Sequence, residues 1–286
     1  VRTLGLAGLV AGVVVLAAVV SPWVAAALGP RFVFARVYDR VVEALLVLGV
    51  ALAWRRLDLG DAPALGLVPW RPSEFVRGLG AGLAGLGIGL VACWLGGGLV
   101  PALRFAPGKV ARKALLGAAA AAGVGLGEEV LFRGIVLRRL MADLGRPAGI
   151  FCTTLVYAAV HAIRTGGGRV APGPWAGLGR TVGLFAPLAH ATAVPALAGL
   201  FGLGLLLALV RLRAGTLWTA VGVHAAWVAG FRVGRLFFVL GPTPVWLVGA
   251  GWPPLVAGAA GWLALGVTGG LLLPRPFRFR GGRRPC

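Results

Sequence analysis

Long apolar runs separated by short polar or basic breaks make up most of the chain. Runs at 4–28, 33–54, 76–103, 112–138, 147–163, 193–212, 214–231 and 253–273 are of the length that a helix needs to cross the hydrocarbon core of a bilayer. In lipid the backbone must satisfy its own N–H and C=O groups, so such runs span as helices. The pattern predicts an all-α fold, a polytopic membrane helix bundle of about eight transmembrane helices. The domain reading is three-part: N-terminal spans and connectors over 1–110, a core over 111–235, and a final span with a basic tail over 236–286.

The breaks carry local signals. Arg31, Arg36, Asp39 and Arg40 open the second run, and Asp39 and Glu43 lie four apart. With Arg36 and Arg40 on neighbouring faces they read as an interfacial charge ladder. The connector from Asp58 to Glu74 holds Pro63, Pro69 and Pro72 and ends in Ser73-Glu74, a predicted cap for the next helix. The third run places Gly78, Gly82, Gly85 and Gly89 as two small-xxx-small pairs, which let a neighbouring helix approach closely. After the fifth run comes a Gly- and Pro-rich connector with Arg164, Arg169 and Arg180, whose length of roughly 28 residues suggests a lid or access loop.

Composition narrows the class. The chain is 59% hydrophobic and 13% charged, with a mean hydropathy of +0.91, which excludes a soluble globular domain. Its net charge of +20 comes from 26 Arg and two Lys spread over segment ends, with Arg275, Arg278, Arg280, Arg283 and Arg284 in the C-terminal tail. That distribution suits lipid headgroups and a cytoplasmic C-terminus in the cell membrane. No compact basic domain is left over to serve a nucleic acid. The breaks on both sides of the fourth run are basic (Arg104, Lys109, Arg112 and Lys113; Arg138, Arg139 and Arg146), so the positive-inside rule does not set an orientation there. Cys93, Cys152 and Cys286 show neither a disulfide framework nor thiolate-zinc spacing. The N-terminal run after Arg2 exceeds a signal-peptide core and is read as a retained anchor.

Candidate chemistry concentrates in Gly127-Glu128-Glu129-Val130-Leu131-Phe132-Arg133-Gly134. A charge at the centre of a bilayer costs roughly 2.5–3.5 kcal/mol on insertion scales, so residues kept there face a bundle interior or a wet cavity. Glu129 and Arg133 are four apart and can neutralise each other. Glu128, about 100° round the helix, is left for another role. Gly123, Gly125 and Gly127 ahead of it leave room for a second helix backbone. Two of the three histidines, His161 and His224, also fall within or at the end of apolar runs, whereas His190 lies in the connector and reads as structural or interfacial. A carboxylate and an imidazole converging on one water make a general-base unit.

Other chemistries lose ground by elimination. Ser21 and Ser73 are the only serines, neither in a nucleophile-like turn. The four aspartates lie at span ends or in connectors, and H-E-x-x-H is absent.

Glu128-Glu129-x-x-x-Arg133, then Tyr157-x-x-x-His161, then Arg213-Ala-Gly-Thr-Leu-Trp218 leading to His224 together resemble the CPBP family, the CAAX-protease-like glutamic intramembrane proteases also called the Abi family. The resemblance covers about residues 115 to 232. It implies a helix bundle acting as a membrane-embedded endopeptidase on a peptide or protein substrate at the bilayer. Glu128 and His161 would activate the water, Glu129 and Arg133 would support the site, and His224 would help stabilise the oxyanion. Tyr157 stands where the family usually has Phe. Val228 stands four after His224, where the family commonly has Asn, and Val has no donor; the indole N–H of neighbouring Trp227 is the nearest substitute in sequence. No cofactor is implied. Two alternatives stay open: a zinc enzyme using Glu128, His161 and His224 as ligands, and a catalytically weakened or inactive immunity or scaffold membrane protein of the same fold.

Overall fold

The structure is a computed structural model that describes residues 2–29, 31–163, 173–191, 193–241, 245–249 and 255–273. In chain order these form α1 (Arg2–Leu28), α2 (Phe34–Ala53), α3 (Ala62–Leu65), α4 (Pro72–Leu95), β1 (Leu99–Pro101) and α5 (Pro107–Glu129). A π-helical stretch, Val130–Val136, carries α5 without a break into α6 (Leu137–Leu144). Then come α7 (Arg146–Ile163), α8 (Ala176–Gly183), a 3-10 turn (Ala186–Ala189), α9 (Ala193–Ala214), α10 (Trp218–Phe237), β2 (Phe238–Leu240), α11 (Val245–Val248) and α12 (Ala259–Leu272). The fold is an all-α membrane helix bundle. Thr3–Leu28, Pro72–Leu95, Pro107–Leu144 and Ala193–Ala214 are long and apolar enough to cross a bilayer. α2, α7, α10 and the shorter α12 fall on the remaining apolar runs.

Small residues decide how the bundle closes. The glycine stripe of α4 splits between two neighbours. A Cβ on Gly78 would come within 2.1 Å of the Thr219 carbonyl oxygen on α10, and one on Gly85 within 2.2 Å of Thr268 Oγ1 on α12. Gly82 and Gly89 continue the two contacts, against Ala226 and the Ala260 carbonyl. Lipid offers little hydrophobic gain for helix association, so this close approach of backbones is where the packing energy comes from. Leu207, Val223, Trp227, Phe132 and Tyr157 fill the core between α5, α7, α9 and α10.

Several expectations need correcting. Ser73 does not cap α4. The helix starts at Pro72 with Arg71 as its N-cap and no side-chain cap bond. Glu74 instead sits in the first turn, where a carboxylate suits the helix dipole, paired with Arg71 at 2.9 Å and accepting a hydrogen bond from Thr216. The third run does not stay helical to 103. α4 ends at Leu95, and Leu99–Pro101 pairs antiparallel with β2, Leu99 opposite Leu240. The long connector after α7 is not loop throughout: its described part contains α8, whose Gly177 abuts the Ala18 backbone of α1. The charge ladder of α2 is only half local. Arg40 pairs with Glu43, but Asp39 reaches Arg180 of α8 at 3.1 Å. Arg164, Arg169, Cys286 and the arginines of the C-terminal tail lie outside the described residues.

Candidate active site

α5 and α10 pack closely and run antiparallel, since Gly117 lies over Arg232 and Val233 while Gly125 lies over Val221 and Ala225. Of the three glycines before the acidic pair only Gly125 makes room for the neighbour. A Cβ there would meet the Ala225 nitrogen at 3.1 Å, whereas Gly123 and Gly127 have nothing within 4 Å. Directly after Glu129 the helix widens into its π turn, a distortion often found where a helix must re-aim side chains at a functional site.

The two adjacent carboxylates point at different partners. Glu129 is fully buried, and its Oε1 accepts from Arg133 Nη1 at 2.8 Å and from His224 Nδ1 at 2.8 Å. Arg133, equally buried, also donates Nη2 to the Gly204 carbonyl of α9 at 3.1 Å. Its guanidinium lies 4.3 Å from the Tyr157 ring centroid, a cation–π contact that strengthens out of water. Tyr157 in turn meets Phe132 edge-on at 5.2 Å and lies 4.1 Å from the His161 ring.

Glu128 faces the imidazoles. Its Oε2 is 3.0 Å from His161 Nε2 and 3.7 Å from His224 Nε2. The side chains of Glu128 and His161 keep about a fifth of their surface open, at 19% and 20%, against 2% for His224 and 0% for Glu129. The open edge of the cluster therefore belongs to Glu128 and His161, and the closed edge to Glu129, Arg133 and His224.

The hydrogen bonds also fix which ring nitrogens carry protons. A carbonyl oxygen only accepts, so His161, with Nδ1 2.9 Å from the Tyr157 carbonyl, bears a proton on Nδ1. His224 Nδ1 likewise donates to the carboxylate of Glu129. Both rings are thus held from behind and turn their Nε2 edges to Glu128. One oxygen of Glu128 and one nitrogen of each histidine lie within 4.8 Å of one another. Three such atoms suit either a shared water or a metal ion, and second acceptors behind both histidines are what a metal-binding imidazole also has.

The sequence-predicted residues thus meet from α5, the π turn, α7 and α10. Trp227 is buried in the same core, 6.1 Å from Phe231, with its indole Nε1 lacking a hydrogen-bond partner among the described residues. Val228 is half-buried and brings no polar atom. His190 is exposed in the segment after the 3-10 turn. Sequence reasoning missed Gly204 and Phe132. A Cβ on Gly204 would lie 2.9 Å from Tyr157 Cδ1, so only glycine lets its carbonyl reach Arg133 beside that ring. One glycine among several in an apolar helix gives no sign of this, and Phe132 reads as ordinary lipid-facing or core filling.

Residues 111–230 match a family model described as type II CAAX prenyl endopeptidase Rce1-like. The matched stretch contains every residue of the cluster and points to a CAAX-protease-like membrane endopeptidase, a hydrolase embedded in the bilayer. No curated protein and no solved structure matches the chain.

Proposed function

We propose that this chain is a glutamic intramembrane endopeptidase that hydrolyses a peptide bond with a water activated by Glu128 and His161. The observation that carries the reading is the convergence of a Glu128 carboxylate oxygen and one ring nitrogen each of His161 and His224 within 4.8 Å of one another from three separate helices, with Glu128 and His161 the partly open members. Glu128 takes a proton from the water as its oxygen attacks the carbonyl carbon. The unprotonated Nε2 edges accept hydrogen bonds from the water and hold it for attack, and His224, once protonated on Nε2 as well, donates to the oxyanion. Glu128 then returns the proton to the leaving amine as the C–N bond breaks. Glu129 and Arg133 set the orientation of His224 and do not touch the substrate.

Val228 takes away an oxyanion donor at the position four after His224, and loss of one such donor lowers turnover by about 10²–10³. The buried indole N–H of Trp227, without a hydrogen-bond partner among the described residues, supports a substitute role for that ring. The substrate is a peptide or protein segment presented at the membrane surface, and a prenylated C-terminal peptide is the first to try given the description of the matched family. The test is hydrolysis by purified protein in lipid vesicles. Loss of cleavage in both Glu128→Gln and His161→Ala, with folding retained, supports the assignment, and full cleavage by either variant overturns it.

A second reading rests on the same three atoms. Glu128, His161 and His224 also fit a three-ligand zinc site, since Tyr157 O and the Glu129 carboxylate back the two Nδ1 atoms. A bound zinc supplies Lewis acidity and a more acidic water. Metal content of the purified protein decides between the two. Stoichiometric zinc with chelator-sensitive cleavage favours the metalloenzyme, and cleavage that persists after exhaustive chelation favours the glutamic mechanism.

A further inference from the structure

The segment between α2 and α4 is tied to both of the helices that bring Glu129 and His224 together, through residues that the hydrolysis steps do not use. Asp61 caps α3 by accepting the Ala64 N–H at 2.9 Å, and Gly66, at φ +81, stops it. This short helix sets the buried Leu65 directly on the π turn: a Cβ on Gly134 would lie 3.1 Å from Leu65 Cδ2. Leu59 and Ile135 complete the apolar contact. Just beyond the π turn, Arg138 Nη2 donates to the Asp58 carbonyl at 3.2 Å and Arg139 Nη2 to the Leu57 carbonyl at 2.8 Å. One flank of the segment is thereby fixed to the helix that carries Glu128, Glu129 and Arg133.

The other flank is fixed to α10. In the turn before that helix the Leu217 N–H donates to the Gly66 carbonyl at 2.9 Å. The half-buried Trp218 donates its indole N–H to the Leu67 and Pro69 carbonyls at 3.1 and 3.2 Å, and its ring meets Trp70 edge-on at 4.0 Å. Both donors belong to the Arg213–Trp218 stretch that stands out in the sequence ahead of His224. Glycine contacts with α4 and α5 bring the α10 backbone close. Hydrogen bonds to particular carbonyls are directional, so they also fix α10 along its axis.

That axial position matters for only one of the two imidazoles. His161 Nδ1 finds its acceptor, the Tyr157 carbonyl, one turn back on its own helix, where no shift between helices can alter it. His224 Nδ1 relies on Glu129 of another helix at 2.8 Å. Lengthening by much less than the 1.5 Å rise of one residue takes that bond out of range. Trp218 stands six residues before His224, about 9 Å along the same helix, so a slip at Trp218 carries His224 with it.

We propose that the segment from Leu57 to Trp70 is a bracket between the π turn and α10, and that Trp218 is the positioning residue through which it holds His224 Nδ1 on Glu129. His224 Nε2 is thereby kept bare and turned toward Glu128. The consequence for cleavage rests on the endopeptidase reading above, whereas the tautomer of His224 does not.

Ring-¹⁵N spectra of the histidine-labelled full chain in detergent test the bracket. The chain has three histidines, each assigned by single substitution. In the unmodified protein the two ring nitrogens of His224 should give widely separated signals, one protonated and one bare. Trp218→Phe keeps an aromatic ring beside Trp70 but has no N–H for Leu67 and Pro69. The His224 separation should shrink as the ring samples both tautomers, with His161 unchanged. Tyr38→Phe, which removes one hydrogen bond between α2 and α8, should leave both rings as they were. On a cleaved peptide, Trp218→Phe should lower kcat by about 10–10²-fold with KM held. If Trp218→Phe does not fold, Trp70→Ala, at an exposed ring, must shrink the separation in its place. An unchanged His224 in the folded variant, or an equal change in His161, overturns the bracket. Absence of cleavage by the unmodified protein counts against the endopeptidase reading and leaves the spectra to decide the bracket.

Discussion

Replacing each of the adjacent carboxylates by its amide should separate chemistry from structure. Glu129→Gln leaves the Arg133 guanidinium, 1% exposed, without its counter-charge and weakens the anchor of His224 Nδ1. Breaking a buried ion pair by removing one partner costs about 3–5 kcal/mol. At roughly 2 °C per kcal/mol for a chain of this size, the melting temperature should fall by roughly 6–10 °C. Glu128→Gln is isosteric and changes a side chain still 19% open to its surroundings. Its stability cost should stay below about 1 kcal/mol, while cleavage falls by at least about 10² through loss of the general base. Tryptophan fluorescence during heating in detergent reads the first quantity, and the vesicle cleavage assay reads the second. The division of roles is refuted if Glu129→Gln melts with the unmodified protein, or if Glu128→Gln loses stability and activity together.

Other substitutions probe the remaining contacts. Val228→Asn should raise turnover, by up to about 10², by restoring a donor near the oxyanion; an unchanged rate in a folded variant would show that another group already fills that role. Trp227→Phe breaks no hydrogen bond among the described residues but leaves a gap in the core, so the melting temperature should fall modestly while turnover drops by the larger factor. Gly204→Ala drives a methyl to 2.9 Å from the Tyr157 ring and should cost about 1–3 kcal/mol through overpacking, measured as a lower melting temperature. Gly85→Leu should part α4 from α12, because even a Cβ would stand 2.2 Å from Thr268 Oγ1 and 2.5 Å from the Ala264 carbonyl; the readout is loss of folded protein on gel filtration.

The long helices and the cluster were both legible in the sequence, for different reasons. Spans announce themselves because apolar length is a local property. Glu128, Glu129, Arg133, His161 and His224 stood out because charge and imidazole are rare at that depth, and spacing alone paired Glu129 with Arg133. What stayed hidden depends on distant parts of the chain. Asp39 and Arg180 are 141 residues apart, the Leu99–Leu240 pairing joins two three-residue strands, and α8 is too short to show a periodicity. Gly204 acts through what its missing side chain permits, which only the Tyr157 ring beside it reveals.

The central claim, that Glu128 and His161 act on one water as a unit, is tested most directly by a double-mutant cycle on kcat/KM for peptide cleavage. Residues acting as a unit are strongly non-additive. Glu128→Gln/His161→Ala should therefore be no slower than the slower of the two single variants. Losses that multiply, so that the double variant falls by the product of the two, would mean that the two side chains work independently and would contradict the shared-water mechanism.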